Sequence, residues 1–228
     1  MIQMKNVYKK YPNGIVALNG LNVEIEQGEF VYVVGPSGAG KSTFIKMMYR
    51  EERPSSGQML VDGIDIATLK NKKVPLLRRQ IGVVFQDFKL LPRLNVYENV
   101  AFALEVIEEP PAKIRERVLS VLDMVGLKHK ARMFPTELSG GELQRVSIAR
   151  SIVNKPKVVI ADEPTGNLDP ETSWDIMNLF ERINRTGTTI LMATHNREIV
   201  NAMRHRVIAI EGGLIVRDVD GGDYGYEG

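Results

Sequence analysis

Gly35-Pro36-Ser37-Gly38-Ala39-Gly40-Lys41-Ser42 is the stretch on which the reading of this sequence turns. Its spacing, a glycine, four residues, then Gly-Lys-Ser, is that of a phosphate-binding loop. Glycines let the backbone wrap tightly enough for amide N–H groups to point inward at phosphate oxygens. A helix opening directly after the loop aims the positive end of its dipole at the same anion. Lys41 supplies a point charge for the β- and γ-phosphates, and Ser42 a hydroxyl for Mg²⁺. Residues 29–34, just before, read as an apolar strand, and Thr43 begins a helical stretch, 43–49. Strand, loop and helix in that order are the setting the motif requires, and they argue against a glycine-rich turn with no ligand.

Outward from the loop, the composition bounds the class of protein. The chain has 228 residues, room for one sizeable domain with a subdomain. Hydrophobic residues make up 43% and charged residues 25%, the balance of an ordinary folded protein. A net charge of +2 gives no argument for nucleic acid, and none is expected as a partner. The absence of cysteine excludes disulfides and thiolate metal sites and fits a reducing compartment. No apolar run approaches the ~20 residues that span a bilayer, and the first residues lack an apolar stretch of signal-peptide length, so work at a membrane would go through a partner.

The rest of the chain predicts an α/β fold. Residues 1–30 read as short strands and turns, an N-terminal antiparallel β subdomain with Asn13-Gly14 as a hairpin signal. Segments 58–61 and 81–85 read as further strands. Segments 96–107, 112–125 and 141–154 read as helices, with Val118, Leu119, Leu122 and Val125 at helical spacing and Pro110-Pro111 as a break. Strand signals return at 158–161 and 188–193 around a helical stretch, 171–184, which implies parallel strands joined by crossover helices. Strands 206–210 and 214–217 flank Gly212-Gly213. The expected organisation is a core of about 1–87 and 157–220, an inserted helical subdomain of about 88–156, and a flexible tail, 220–228.

Val158-Val159-Ile160-Ala161-Asp162-Glu163 is an apolar strand ending in two carboxylates. In open α/β sheets ligands bind at the carboxyl ends of strands. Asp162 is placed to hold Mg²⁺, and Glu163 to accept a proton from an attacking water. Taken alone, the segment reads equally well as a strand ending in solvated acids.

Leu138-Ser139-Gly140-Gly141-Glu142-Leu143-Gln144-Arg145 narrows the choice. It is a second small, glycine-rich turn opening a second helix, hence a second anion site by the same dipole argument; by itself it also reads as an N-cap supplied by Ser139. Set before the acidic strand end, it resembles the signature segment of the ATP-binding-cassette (ABC) ATPases, a branch of the P-loop NTPases. The resemblance covers essentially the whole chain. It implies ATP and Mg²⁺ as ligands and a head-to-tail homodimer, in which Ser139, Gly140 and Gly141 of one copy cap the nucleotide bound by Gly35–Thr43 (residues 35–43, Pro36, Ser37, Gly38, Ala39 and Gly40 included) of the other. It also implies that Tyr11 stacks on adenine and Val16 lines that site, although Tyr11 reads as well as a half-buried strand residue. Gln86 matches the glutamine that senses Mg²⁺ and the attacking water, Asn167-Leu168-Asp169 the loop that crosses the dimer contact, and His195 the switch histidine. The other two histidines, His129 and His205, read as surface residues.

Phe88, Leu90, Leu91 and Leu94 are apolar residues in a segment expected to be a loop. In the family this area receives a short helix from an integral membrane partner, so residues 86–100 are the expected docking segment; burial between subdomains explains the same residues. Within the family, Val74 through Leu91 is similar to the cell-division branch, whose membrane partner is of FtsX type. That implies a peripheral place on the cytoplasmic face of the cell membrane, at the division site. An exporter or amino-acid-importer ATPase stays open as an alternative. Less room is left for an importer with an added C-terminal regulatory domain, or for a soluble member with paired cassettes.

Overall fold

The computed structural model describes residues 1–225. In chain order the elements are β1 (Ile2–Lys10), β2 (Val16–Ile25), β3 (Phe30–Val34), α1 (Lys41–Met48), β4 (Ser56–Val61), β5 (Ile64–Asp65) and α2 (Val74–Arg78). Then come β6 (Ile81–Val84), α3 (Val96–Glu105), α4 (Pro111–Met124), α5 (Gly140–Ile152), β7 (Val158–Asp162) and α6 (Pro170–Asn184). The chain ends with β8 (Thr189–Ala193), α7 (Arg197–Met203), β9 (Arg206–Glu211) and β10 (Leu214–Val219). It divides into two compact units, Met1–Arg78 with Thr189–Gly228, and Arg79–Thr188.

In the first unit, β1 pairs antiparallel with β2 and β4, and the Asn13-Gly14 turn joins β1 to β2 as expected. Strand β1 buries Ile2, Met4 and Val7, its alternation slipping by one residue where the pairing register shifts between Met4 and Val7. A second group of strands runs β10-β9-β3-β8. Here β3 is parallel to both neighbours, with Val33 opposite Ala193 and Val34 opposite Ala209. Every residue of β3 and β8 is buried, which explains why both read as unbroken apolar runs. Their carboxyl ends lie side by side, where the Thr194 N–H donates to the Val33 carbonyl at 3.3 Å.

In the second unit, β6 and β7 pair in parallel, with Val84 opposite Ala161. Helices α3, α4 and α5 occur where the apolar periodicity placed them, within a residue or two at most ends. Pro111 at the first turn of α4 has no helical hydrogen bond to lose. Helix α6 buries Ile176, Phe180 and Ile183 along one stripe, with Asp169 as its N-cap.

Two expectations need correction. Within 220–225 the tail is anchored at Tyr224, which is only 6% exposed: its N–H donates to Asn201 Oδ1 at 2.7 Å, and the Arg197 guanidinium sits 5.3 Å from its ring centre. An aromatic that can bury its ring and bond its backbone has no reason to fray; residues 226–228 of the expected tail lie outside the described residues. His205 is not a solvated surface residue either. Its ring stacks on Phe30 at 4.2 Å and 3°, which the charged neighbours Arg204 and Arg206 concealed.

Candidate functional site

In the first unit, the loop between β3 and α1 emerges from the buried carboxyl end of β3. Gly40 is the N-cap of α1 with φ 111°, and no side chain caps that helix. A Cβ on Gly40 would lie 2.4 Å from the Ala17 carbonyl oxygen, so glycine is required there by backbone packing as well as by φ. Lys41 is 7% exposed, and its Nζ donates to the carbonyls of Gly35 at 2.7 Å and Pro36 at 3.0 Å. The charge is thereby held over the mouth of the loop.

A cavity of about 450 Å³ opens here, lined by Tyr11, Ile15, Val16, Gly38, Lys41 and Ser42 among others. One end is apolar, with Ile15 59% and Val16 48% exposed; the other is the glycine-rich helix start with its ammonium group. That pairing fits a ligand with a flat apolar base and an anionic tail. The Tyr11 hydroxyl is hydrogen-bonded to that of Thr43 at 3.1 Å, and Lys9 Nζ lies 4.9 Å from the centre of its ring. His195 is exposed and follows β8 by two residues, beside the end of β3 from which the loop springs. Asn196, next in the chain, caps α7 through its side chain.

In the second unit, parallel pairing of β6 with β7 puts Gln86 and the Asp162-Glu163 pair at the same strand ends. Gln86 Nε2 donates to Asn167 Oδ1 at 3.3 Å, and Asn167 Nδ2 returns a bond to the Gln86 carbonyl at 3.1 Å. Glu163 has φ 49°, a left-handed conformation that costs a non-glycine residue about 1 kcal/mol or more. The chain turns there, with the Gly166 N–H on the Glu163 carbonyl at 3.1 Å. Periodicity and composition hold no trace of this kink. Among the described residues no three acidic or imidazole groups gather into a metal cage.

The Ser139-Gly140-Gly141 turn opens α5. Ser139 Oγ accepts the Glu142 N–H at 3.3 Å, and Glu142 Oε2 accepts the Ser139 N–H at 3.0 Å, a reciprocal capping box. Lys130 bonds the same carboxylate at 2.5 Å, and with the Ser139 N–H it holds the Glu142 carboxyl below the ordinary glutamate range. A Cβ on Gly141 would lie 2.4 Å from Thr172 Cγ2, so α5 and α6 touch there. Asp169 caps α6 by accepting from the Thr172 N–H at 2.9 Å and its hydroxyl at 2.6 Å, which lowers the pKa of the Asp169 carboxyl. Further along α5, buried Gln144 donates to the Pro164 carbonyl at 2.8 Å, tying this helix to the turn after Glu163.

Sequence reasoning missed the residues that shape the segment after Gln86. Phe88 and Lys89 both have left-handed φ, at 60° and 49°. Arg150 of α5 donates to both of their carbonyls, and buried Asn99 of α3 bonds Leu91, Leu94 and Asn95. The available signal was a lone arginine inside Val146-Ser147-Ile148-Ala149-Arg150-Ser151-Ile152, a stretch with no place for an unpaired charge. Phe88, Leu90 and Leu94 are half-buried, and Leu91 is 36% exposed.

The ABC transporter family model matches residues 18–166. The chain is 71% identical over 225 residues to the "Cell division ATP-binding protein FtsE" of Bacillus subtilis (strain 168), with 99% of each chain covered. It is 49% identical over 213 residues to the protein of the same name from Escherichia coli (strain K12), covering 93% of this chain and 96% of that one. It is also similar to the ATP-binding cassette MJ0796, solved as a dimer in a post-hydrolysis state bound to ADP and Pi. There the TM-score is 0.86 at 36% identity, with 97% of this chain and 99% of that chain covered. Residues 18–166 include both glycine-rich turns and the acidic strand end; with the geometry around them, they make this chain an ATP-hydrolysing member of the ABC transporter family.

Proposed function

We propose that this ATPase drives a membrane complex of the cell division apparatus, working as a homodimer with an integral membrane protein of FtsX type. The observation that carries the reading is the phosphate-loop cavity, with an apolar end at Tyr11 and Val16 and an uncapped helix start at Gly40. Support for the division role comes from relatives of that name that match end to end at 71% and 49% identity. The copies face each other head to tail, so that Ser139, Gly140 and Gly141 of one lie against the nucleotide held by the other. Support for this comes from the dimeric state of the similar cassette MJ0796. The membrane partner docks along residues 86–100, where half-open apolar side chains cluster. The complex sits on the cytoplasmic face of the membrane at the division site; no described helix is long and apolar enough to cross a membrane.

In this reading Tyr11 and Val16 hold the base, and the 35–43 backbone with Lys41 holds the phosphates. Ser42, Gln86 and Asp162 would hold Mg²⁺, which supplies charge neutralisation on the phosphate oxygens. Glu163 takes a proton from the water whose oxygen bonds the γ-phosphorus, while the bond to the β–γ bridging oxygen breaks and ADP departs. Gln86 and His195 orient that water and the γ-phosphate. Hydrolysis removes the group gripped by both copies, so they part, and this opening is the mechanical output.

The test is Glu163→Gln. Turnover should fall about 10³-fold with ATP binding retained, and the variant should elute as a dimer with ATP and a monomer without it. Normal turnover would remove Glu163 as the base. Co-purification from membranes tests the partner: recovery of a solute permease and no division protein would overturn the division reading.

A further inference from the structure

We propose that Arg150 is a positioning residue that makes the loop after Gln86 follow the helix of the Ser139-Gly140-Gly141 turn. This rests on the reading that the loop receives a membrane partner. Helix α5 begins at the turn that would meet the partner copy's nucleotide. Eleven positions on from Ser139, about 16 Å along the axis, it presents Arg150. The guanidinium donates Nη1 to the Lys89 carbonyl at 2.7 Å and Nη2 to the Phe88 carbonyl at 2.9 Å.

Two successive carbonyls can meet one planar fork because Phe88 and Lys89 are both left-handed, φ 60° and 49°. Neither is glycine, so that backbone shape persists only where surrounding contacts impose it. The loop supplies part of that itself. Phe88 N–H bonds the Phe85 carbonyl, Lys89 N–H bonds the Asp87 carbonyl at 2.6 Å, and the Lys89 and Asp87 side chains pair at 2.5 Å. The loop's far end is fastened separately. Asn99, fully buried in α3, accepts the Leu91 N–H at 2.8 Å and donates to the Leu94 carbonyl at 2.8 Å. Arg150 therefore ties the near end of the loop to α5, and Asn99 ties the far end to α3.

These ties have different consequences. Helix α3 follows the loop directly, so Asn99 sets its shape. Helix α5 also carries the capping box, the Gly141 contact with Thr172 and the Gln144 bond to the Pro164 carbonyl. A shift of α5 on nucleotide closure would be delivered to Phe88 and Lys89 through a rigid two-donor fork. Burial also disfavours the charge of this guanidinium, so the carbonyls that compensate it are not readily released.

The test uses the full chain carrying Glu163→Gln, with amide exchange at residues 88–91 measured with and without ATP. ATP should slow exchange at Phe88 and Lys89. Adding Arg150→Lys, which cannot reproduce the fork, should shrink that ATP-dependent change about tenfold, with exchange along α5 and β7 unaltered. Adding Lys89→Gly as well, which favours the left-handed shape without remaking the fork, should leave that change small; an arginine that only holds the loop's shape would be replaced by the glycine, and the change would return. An ATP-dependent change of equal size in the Arg150→Lys chain would overturn the proposal. So would return of the full ATP-dependent change on adding Lys89→Gly, or loss of protection throughout the unit in the Arg150→Lys chain. Partner capture by the unmodified chain is scored separately, so its failure refutes the docking reading while exchange still decides the role of Arg150.

Discussion

Two glycine-rich turns open two helices, and they are finished in opposite ways. The α1 turn has glycine at its N-cap, no side-chain cap and no acidic residue in its first turn; its charge is the buried ammonium of Lys41. The α5 turn has Ser139 at its N-cap and Glu142 closing the box, and that carboxylate is neutralised by Lys130. Orphan N–H groups at a helix start must be satisfied by something. At α5 the protein supplies part of the answer itself, so the turn is stable as a module that meets a ligand from outside. At α1 the side chains leave the helix start to an anion. The α1 turn is thus a helix start left open for an anion, and the α5 turn is a preformed surface.

The largest test of that difference is Lys41→Ala. It removes the charge from the uncapped turn, and kcat/KM for ATP should fall about 10²–10³-fold, measured by phosphate release. The melting temperature without nucleotide should change little by comparison. Activity within threefold of the unmodified chain would mean that the α1 turn does not rely on its lysine.

How much of this was legible beforehand divides along the same line. The phosphate loop was readable because its chemistry demands fixed residue types at fixed spacing, and the parallel strands because burial on both faces leaves an unbroken apolar run. The ordering of the loop after Gln86 was not, because it depends on Arg150 and Asn99 reaching back from helices 61 and 8 residues away. The left-handed Glu163 was equally hidden, since glutamate carries no turn signal and the kink is imposed by its surroundings. Tyr224 escaped because a Gly- and Asp-rich tail reads as frayed, while one aromatic ring against Arg197 suffices to dock it. Helix α7, only Arg197–Met203, was too short to leave a periodic trace.

Ser139→Ala probes the other turn, with the reverse pattern. Loss of the cap should cost about 1 kcal/mol, a fall of about 3 °C in melting temperature for a chain of this length. ATP affinity of the isolated chain should hold within about twofold, since the 35–43 loop is untouched. A drop in ATP affinity matching that of Lys41→Ala would erase the distinction between a turn left open for an anion and a preformed one.

The smallest expected effect is the one that separates the turns by chemistry. Lys130 and the Ser139 N–H hold the Glu142 carboxyl below its ordinary value, so the unfolded chain binds this proton more readily than the folded one. Its contribution is then fully present above the ordinary glutamate range and drains away as pH falls through the lowered folded value. The Glu142 and Lys130 side chains are each 24% exposed, open enough for salt to weaken the same contribution. The melting-temperature gap between the unmodified chain and Glu142→Gln should therefore be widest near neutrality and low salt, and should close toward acid or high salt. The α1 turn has no acidic residue to titrate, so Lys41→Ala should show no such closing gap. A Glu142→Gln gap that stayed constant into acid would mean that the box works through geometry alone, and the two turns would then differ in capping but not in charge.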